Sequence, residues 1–132
     1  MASDSFVIQS GKVRFFENDT VIILLASSLQ ISPGSPTELT TKSGFYIACG
    51  LLYLAEKIRK GEAIDKNNSY FEVEGGDVYV YGDGNSIFLK AADQFHKDAP
   101  PAKLTVEEAA EFGKKLFELA HKIWLIDNIW AN

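Results

Sequence analysis

The sequence predicts an α+β fold in which tandem duplicated βββ(β)α units form one pseudo-twofold domain with curved antiparallel sheets and two packed helices. Three observations predict it. First, GKVRFFENDTVIILLA (Gly11 to Ala26) lies without a gap over GDVYVYGDGNSIFLKA (Gly76 to Ala91), an offset of 65 residues. Second, the same offset brings PTELT (Pro36 to Thr40) onto PAKLT (Pro101 to Thr105) and LLYLAEKI (Leu51 to Ile58) onto LFELAHKI (Leu116 to Ile123). Third, the identical positions carry the periods of the two element types. Phe6 with Phe71, Val13 with Val78, Ile22 with Ile87, Leu24 with Leu89 and Ala26 with Ala91 recur at every second residue within their segments, which is one face of a strand. Leu51 with Leu116, Leu54 with Leu119, Ala55 with Ala120 and Ile58 with Ile123 recur at three- and four-residue steps, which is one stripe of a helix. These matched positions are the expected core.

In order along the chain, the first repeat occupies about 5–61, a linker 62–69 and the second repeat about 70–132. Each repeat opens with a strand, Phe6 to Ser10 or Tyr70 to Glu74. A tight turn at Ser10-Gly11 or Gly75-Gly76 leads to a second strand, Lys12 to Glu17 or Asp77 to Tyr81. The next hairpin turn is Gly82-Asp83-Gly84-Asn85 in the second repeat, where glycines and Asp/Asn suit positive backbone angles, and Glu17-Asn18-Asp19-Thr20 in the first. Third strands run from Val21 to Ser28 and from Ser86 to Ala92. Pro33, Pro36, Pro100 and Pro101 then forbid continuous helix. Short fourth strands are expected at Glu38-Leu39 and Lys103-Leu104. Thr105-Val106-Glu107-Glu108 has the spacing of a capping box, in which hydroxyl and carboxylate satisfy each other's backbone donors, so a helix starts there. Thr40 holds the same place in the first repeat, although Ser43 offers no carboxylate, and Gly61 is the expected stop of the first helix. Each repeat has one helix to cover a small sheet, so neither half is expected to be stable alone.

The totals set bounds on function. A chain of 132 residues can bury a proper core without a staple. Cys49, the only cysteine, excludes an internal disulfide and a thiol cluster for zinc, and reads first as a small buried hydrophobe. MASDSF has no signal-peptide pattern, and the longest apolar run, Val21 to Ala26, is far shorter than the roughly 20 residues that span a bilayer. The expectation is a soluble, cytoplasmic protein with no membrane partner. Lys and Arg number 13 against 18 acidic residues, a net charge of −5, so any nucleic-acid site must be a local patch.

Positions that differ between repeats are where a site is sought. Opposite the matched strand residues, the first repeat presents Arg14, Phe16, Ile23 and Leu25, and the second presents Glu72, Glu74, Tyr79, Tyr81, Phe88 and Lys90. Tyr79 and Tyr81 project to one side, and aromatics at i and i+2 on an open sheet form a stacking platform for bases or, alternatively, cross-strand pairs that stabilise the sheet or contacts to another subunit. The second helix has a charged face, whereas the first carries Phe45, Tyr46, Ala48, Cys49, Leu52 and Tyr53 off its core stripe. A helix apolar all round is covered on a second side, within the chain or by another subunit. With Trp124 and Trp130 in the C-terminal segment, Phe45, Cys49 and Leu52 are the expected interface of a homo-oligomer, a dimer.

A sheet-then-helix unit used twice, in which Ser86-Ile87-Phe88-Leu89-Lys90-Ala91 leads through Leu104-Thr105 into a helix, resembles the repeats of PUR-type single-stranded nucleic-acid-binding proteins and, in architecture, the related Whirly proteins. The resemblance covers most of the second repeat and the first only weakly. It implies binding of single-stranded DNA or RNA on the curved sheet through aromatic and basic side chains: Phe88 and Lys90, with Tyr79 and Tyr81 on the neighbouring strand and Arg14 and Phe16 at the corresponding places in the first repeat. The first repeat departs from the pattern, with Ile23 and Leu25 where the second has Phe88 and Lys90.

Catalytic constellations are absent from the sequence: there is no phosphate-binding P-loop, no GxSxG and no His/Cys metal spacing. His96 and His121 are expected at the surface. No catalytic residue, cofactor or metal is expected, and the chain is read as not an enzyme. Two functions remain: a single-stranded DNA/RNA-binding protein using an aromatic and basic sheet face, and a non-enzymatic interaction or assembly module that keeps the fold without nucleic acid.

Overall fold

The computed structural model describes residues 3–8, 11–18, 21–27, 37–65, 70–73, 78–91 and 100–125, and for the first three strands the pairing alone, Ile22 apart. Among the described residues the order is β1 (Ser3–Ile8), β2 (Gly11–Asn18), β3 (Val21–Ser27), β4 (Thr37–Leu39), α1 (Thr41–Arg59), β5 (Tyr70–Val73), β6 (Val78–Asp83), β7 (Ser86–Ala91), β8 (Ala102–Leu104) and α2 (Val106–Leu125). The fold is α+β with antiparallel strands and two helices. The strands join in one sheet rather than two: its path runs β1-β2-β3-β7-β6-β5, with β4 on β3 and β8 on β7. The join is the antiparallel pair Ala26 and Ala91.

Register follows the sequence offset closely in the central strands. Val13 lies opposite Ala26 as Val78 lies opposite Ala91, and Asn18 opposite Val21 as Asp83 lies opposite Ser86. The short fourth strands agree too, Ile22 meeting Leu39 as Ile87 meets Leu104. The first strands do not agree. Phe6 faces Val13, whereas Phe71 faces Val80, two residues beyond the position that the Phe6/Phe71 match implies. Because side chains alternate with a period of two, a shift of two leaves each strand on the same face. The second hairpin turn is also tighter than expected: β6 runs on through Asp83, leaving Gly84-Asn85 as the connection, with Gly84 at φ +63.

Both helices begin as their N-cap residues dictate. The Glu108 N–H donates to Thr105 Oγ1 (3.1 Å) and the Thr105 N–H to Glu108 Oε1 (2.9 Å), a complete capping box. In α1 the Ser43 N–H donates to Thr40 Oγ1 (3.1 Å) without a reciprocal carboxylate. The end of α1 is a Schellman motif: the Gly61 N–H reaches the Ile58 carbonyl at 2.9 Å and the Glu62 N–H the Lys57 carbonyl at 3.1 Å, with Gly61 at φ +81.

The core lies between the sheet and the helix pair. Ile22, Leu39, Ile47, Leu51, Leu54, Ile87, Leu89, Leu104, Phe112 and Leu116 are fully buried, and Val78, Ala55, Ala120 and Ile123 join them. The expected inward positions are therefore inward wherever their side chains are described, with Ile58 and Phe71 half-buried. Helix α1 packs on β5 and β6, strands that follow it in sequence, and α2 lies against α1. The approach of the helices is close at Gly113, where a Cβ would stand 3.0 Å from Leu52 Cγ and 3.2 Å from Leu51 Cβ. Thus α2 covers α1 at Phe45 and Leu52. No helix among the described residues is long and apolar enough to cross a membrane.

Candidate nucleic-acid interface

Strand β6 alternates cleanly, with Val78, Val80 and Gly82 buried, Tyr79 and Tyr81 half-buried and Asp83 exposed. Its outward side chains sit in two rows set by the strand register. One row runs Tyr70 (β5), Tyr81 (β6), Phe88 (β7), Lys103 (β8), each residue opposite the next. The other runs Glu72, Tyr79, Lys90. Across these rows four rings form one ladder. Centroids are 5.4 Å apart for Tyr70 and Tyr79, 6.1 Å for Tyr70 and Tyr81, 6.0 Å for Tyr79 and Tyr81 and 5.0 Å for Tyr81 and Phe88, with planes inclined by only 20–24°. This is the offset-stacked arrangement that aromatic quadrupoles favour. Tyr70 is 46% exposed and the other three rings are half-buried, so the ladder is fixed by its neighbours yet open to solvent at the end of the sheet.

Among the described residues, carboxylates flank the tyrosine end of the ladder and Lys103 the Phe88 end. All three phenols have pKa values raised above the ordinary value. For Tyr70 the causes are burial first, then the charge of Glu72, to which its hydroxyl donates a hydrogen bond, and then Tyr81. Tyr79 is raised by burial and by its two tyrosine neighbours, and Tyr81 by burial and Asp83. The rings are therefore neutral hydrogen-bond donors at physiological pH. Glu72 and Asp83 are exposed.

The expected site residues fare unequally. Tyr79, Tyr81 and Phe88 come together in the ladder. Lys90 lies in the same outward row but is only 3% exposed, so its ammonium is not presented to solvent. Period-two alternation assigns a face and says nothing about what covers it; β7 is central in the sheet and Lys90 adjoins the β3 to β7 join. Arg14 and Phe16 lie on β2 opposite Leu25 and Ile23, and their side chains fall outside the described residues. Tyr70 was not among the expected residues. The signal was present, since Tyr70 is two residues before Glu72 and shares its face, but its place beside the polar linker obscured it.

Of the expected interface residues, Phe45 stacks edge-on against Phe117 of α2 (5.0 Å) and Leu52 faces Gly113, so both are used within the chain. Trp124 is 42% exposed, and Trp130 lies outside the described residues. Cys49 is exposed rather than buried, because Ala48 and Gly50 on either side take the inward positions of α1. It shares an outward stripe with Tyr46 and Tyr53, whose rings meet Phe71 edge-on at 5.6 and 6.1 Å. His121 is exposed on α2, and His96 lies outside the described residues. Among the described residues no three His, Cys, Asp or Glu side chains are grouped to hold a metal ion. Comparison with protein-family models, with curated proteins and with solved structures gives no match.

Proposed function

We propose that this chain binds single-stranded DNA or RNA on the outward face of β5, β6 and β7, with bases stacking against the Tyr70, Tyr79, Tyr81 and Phe88 ladder. The observation that carries the reading is the ladder itself: four near-parallel rings, partly open to solvent, on a sheet face with no helix on that side among the described residues. Every base has a π-face, so such a platform is tolerant of sequence. The reading is non-enzymatic, and it is the one that the resemblance to PUR-type and Whirly repeats implies.

The same proposal takes the chain as a tandem duplication about a pseudo-twofold axis. In its support, the β2 to β3 and β3 to β4 registers recur in β6 to β7 and β7 to β8 at the sequence offset. At the join, Ala26 pairs with Ala91, its own counterpart at that offset, which is the self-pairing that a twofold axis between β3 and β7 requires.

Fluorescence-polarisation titration of labelled, mixed-sequence single-stranded DNA and RNA tests the binding. The wild type is expected to bind with micromolar or tighter affinity. Tyr79→Ala combined with Tyr81→Ala is expected to weaken binding by about tenfold or more, since each stacked base is worth ~1–3 kcal/mol. No binding at low salt, or unchanged binding by the folded double variant, removes the reading. A second reading, an interaction or assembly module that forms a homodimer, is favoured by the exposed Tyr46, Cys49 and Tyr53 stripe. Sedimentation velocity tests it, and a strictly monomeric chain at high concentration counts against it.

A further inference from the structure

We infer that the ladder holds a single strand through its bases alone and that the phosphate backbone opposes binding there. The inference rests on the single-strand reading above and specifies the ligand chemistry: flat, uncharged heteroaromatic rings, with charge on the backbone a hindrance. Proteins that bind single strands usually pair aromatic platforms with a cationic groove that tracks the phosphates. Among the described residues, the exposed charges beside the three tyrosine rings have the opposite sign. Glu72 lies opposite Tyr79 in the register and is exposed, and Asp83 follows Tyr81 by two residues on the same face and is exposed. Lys90, the cation of the second row, is buried beyond the reach of a phosphate at the surface. Lys103 is exposed opposite Phe88 at the far end of the first row, so a cation borders the Phe88 end of the ladder while carboxylates border the Tyr70, Tyr79 and Tyr81 end.

The two carboxylates act on the rings already. The charge of Glu72 helps to hold Tyr70 protonated, and that of Asp83 does the same for Tyr81. A field that disfavours a phenolate disfavours a phosphate at the same place. Screening does not remove it, because the Debye length is about 10 Å at 0.1 M salt and residues two apart on one strand, as Tyr70 and Glu72 or Tyr81 and Asp83 are, stand about 7 Å apart. A neutral base stacked on Tyr70 or Tyr79 meets no such penalty.

The test compares single strands of one sequence and length, one of DNA and one of peptide nucleic acid, whose backbone is uncharged, across a salt series. Peptide nucleic acid is expected to bind at least as tightly as DNA. For DNA the dependence of log affinity on log salt should be no steeper than about −0.7, the value for one phosphate contact on a single strand. Glu72→Gln combined with Asp83→Asn should tighten DNA severalfold and leave peptide nucleic acid unchanged. DNA binding tighter than peptide nucleic acid, a slope worth several phosphate contacts, or a carboxylate variant with unaltered DNA affinity overturns the inference while the single-strand reading stands. If neither strand binds, that reading falls and the inference with it.

Discussion

Replacing Gly82 by alanine tests how the segment after α1 is locked onto the hairpin that carries the ladder. Gly82 lies between Tyr81 and Asp83 and faces inward. A Cβ there would stand 2.6 Å from Ile64 Cγ2, 2.9 Å from Cδ1 and 3.2 Å from Cβ. The Ile64 side chain is 5% exposed, and its backbone is bridged to Gly84 through Ile64 N–H to Gly84 O (3.3 Å) and Gly84 N–H to Ile64 O (3.0 Å). Cδ1 can turn away about χ2 and Cγ2 only by leaving the χ1 well that a β-branched residue prefers, while Cβ moves only with the bridged backbone. Overpacking of this kind costs ~1–3 kcal/mol, offset by ~0.4–1 kcal/mol from the reduced freedom of the unfolded chain. The net expectation is a loss of about 1–2 kcal/mol. In urea unfolding this lowers the midpoint by roughly 0.5–1 M at unchanged m-value. Ile64→Ala alone should cost ~2–5 kcal/mol by opening a cavity. In the double variant the new methyl enters the vacated space, so the combined cost should fall short of the sum by ~0.5–3 kcal/mol. A Gly82→Ala midpoint equal to or above wild type, or strictly additive costs, would refute the contact on which the reasoning stands.

Two further outcomes follow from the caps and the phenols. Thr105→Ala removes the acceptor of the Glu108 N–H and should cost ~1 kcal/mol, read as a lowered melting temperature with the fold retained; no change would mean that the capping box contributes nothing. The folded protein holds the protons of Tyr70, Tyr79 and Tyr81 more tightly than the unfolded chain, whose phenols titrate near pH ~10. Their stabilising contribution is therefore complete below pH ~10 and is lost as pH rises through the raised values. Melting temperature should fall more steeply above that point in wild type than in a variant with all three tyrosines changed to phenylalanine, and parallel curves would contradict it.

The parts of this fold that were legible in the sequence are those set by short-range rules. The offset that aligns Val13 with Val78 and Ala26 with Ala91 also describes the strand register, because a ladder pairs residues one for one once a hairpin fixes its start. Thr105 and Gly61 announced the helix ends because capping chemistry is local. The Phe6 and Phe71 match gives the face of the first strands but not their pairing, because the spacings between strands differ: Ile8 pairs with Gly11, but Val73 pairs with Val78. What escaped was coverage. Alternation put Lys90 on the ladder's face but could not show that the centre of the sheet there is closed, and the apolar periphery of α1 did not reveal that α2 takes up Phe45 and Leu52. Burial of this kind depends on contacts between elements distant in the chain.

The most direct test of the central claim is an NMR titration that follows the ring protons of Tyr70, Tyr79, Tyr81 and Phe88 as an unlabelled single-stranded oligonucleotide is added. Bases stacking on the ladder predict ring-current shifts concentrated on those four residues, largest at the open Tyr70 end, with the rings of Tyr46 and Tyr53 unmoved. Saturation of the chain with no shift at the ladder, or shifts centred on the α1 stripe, would contradict the account.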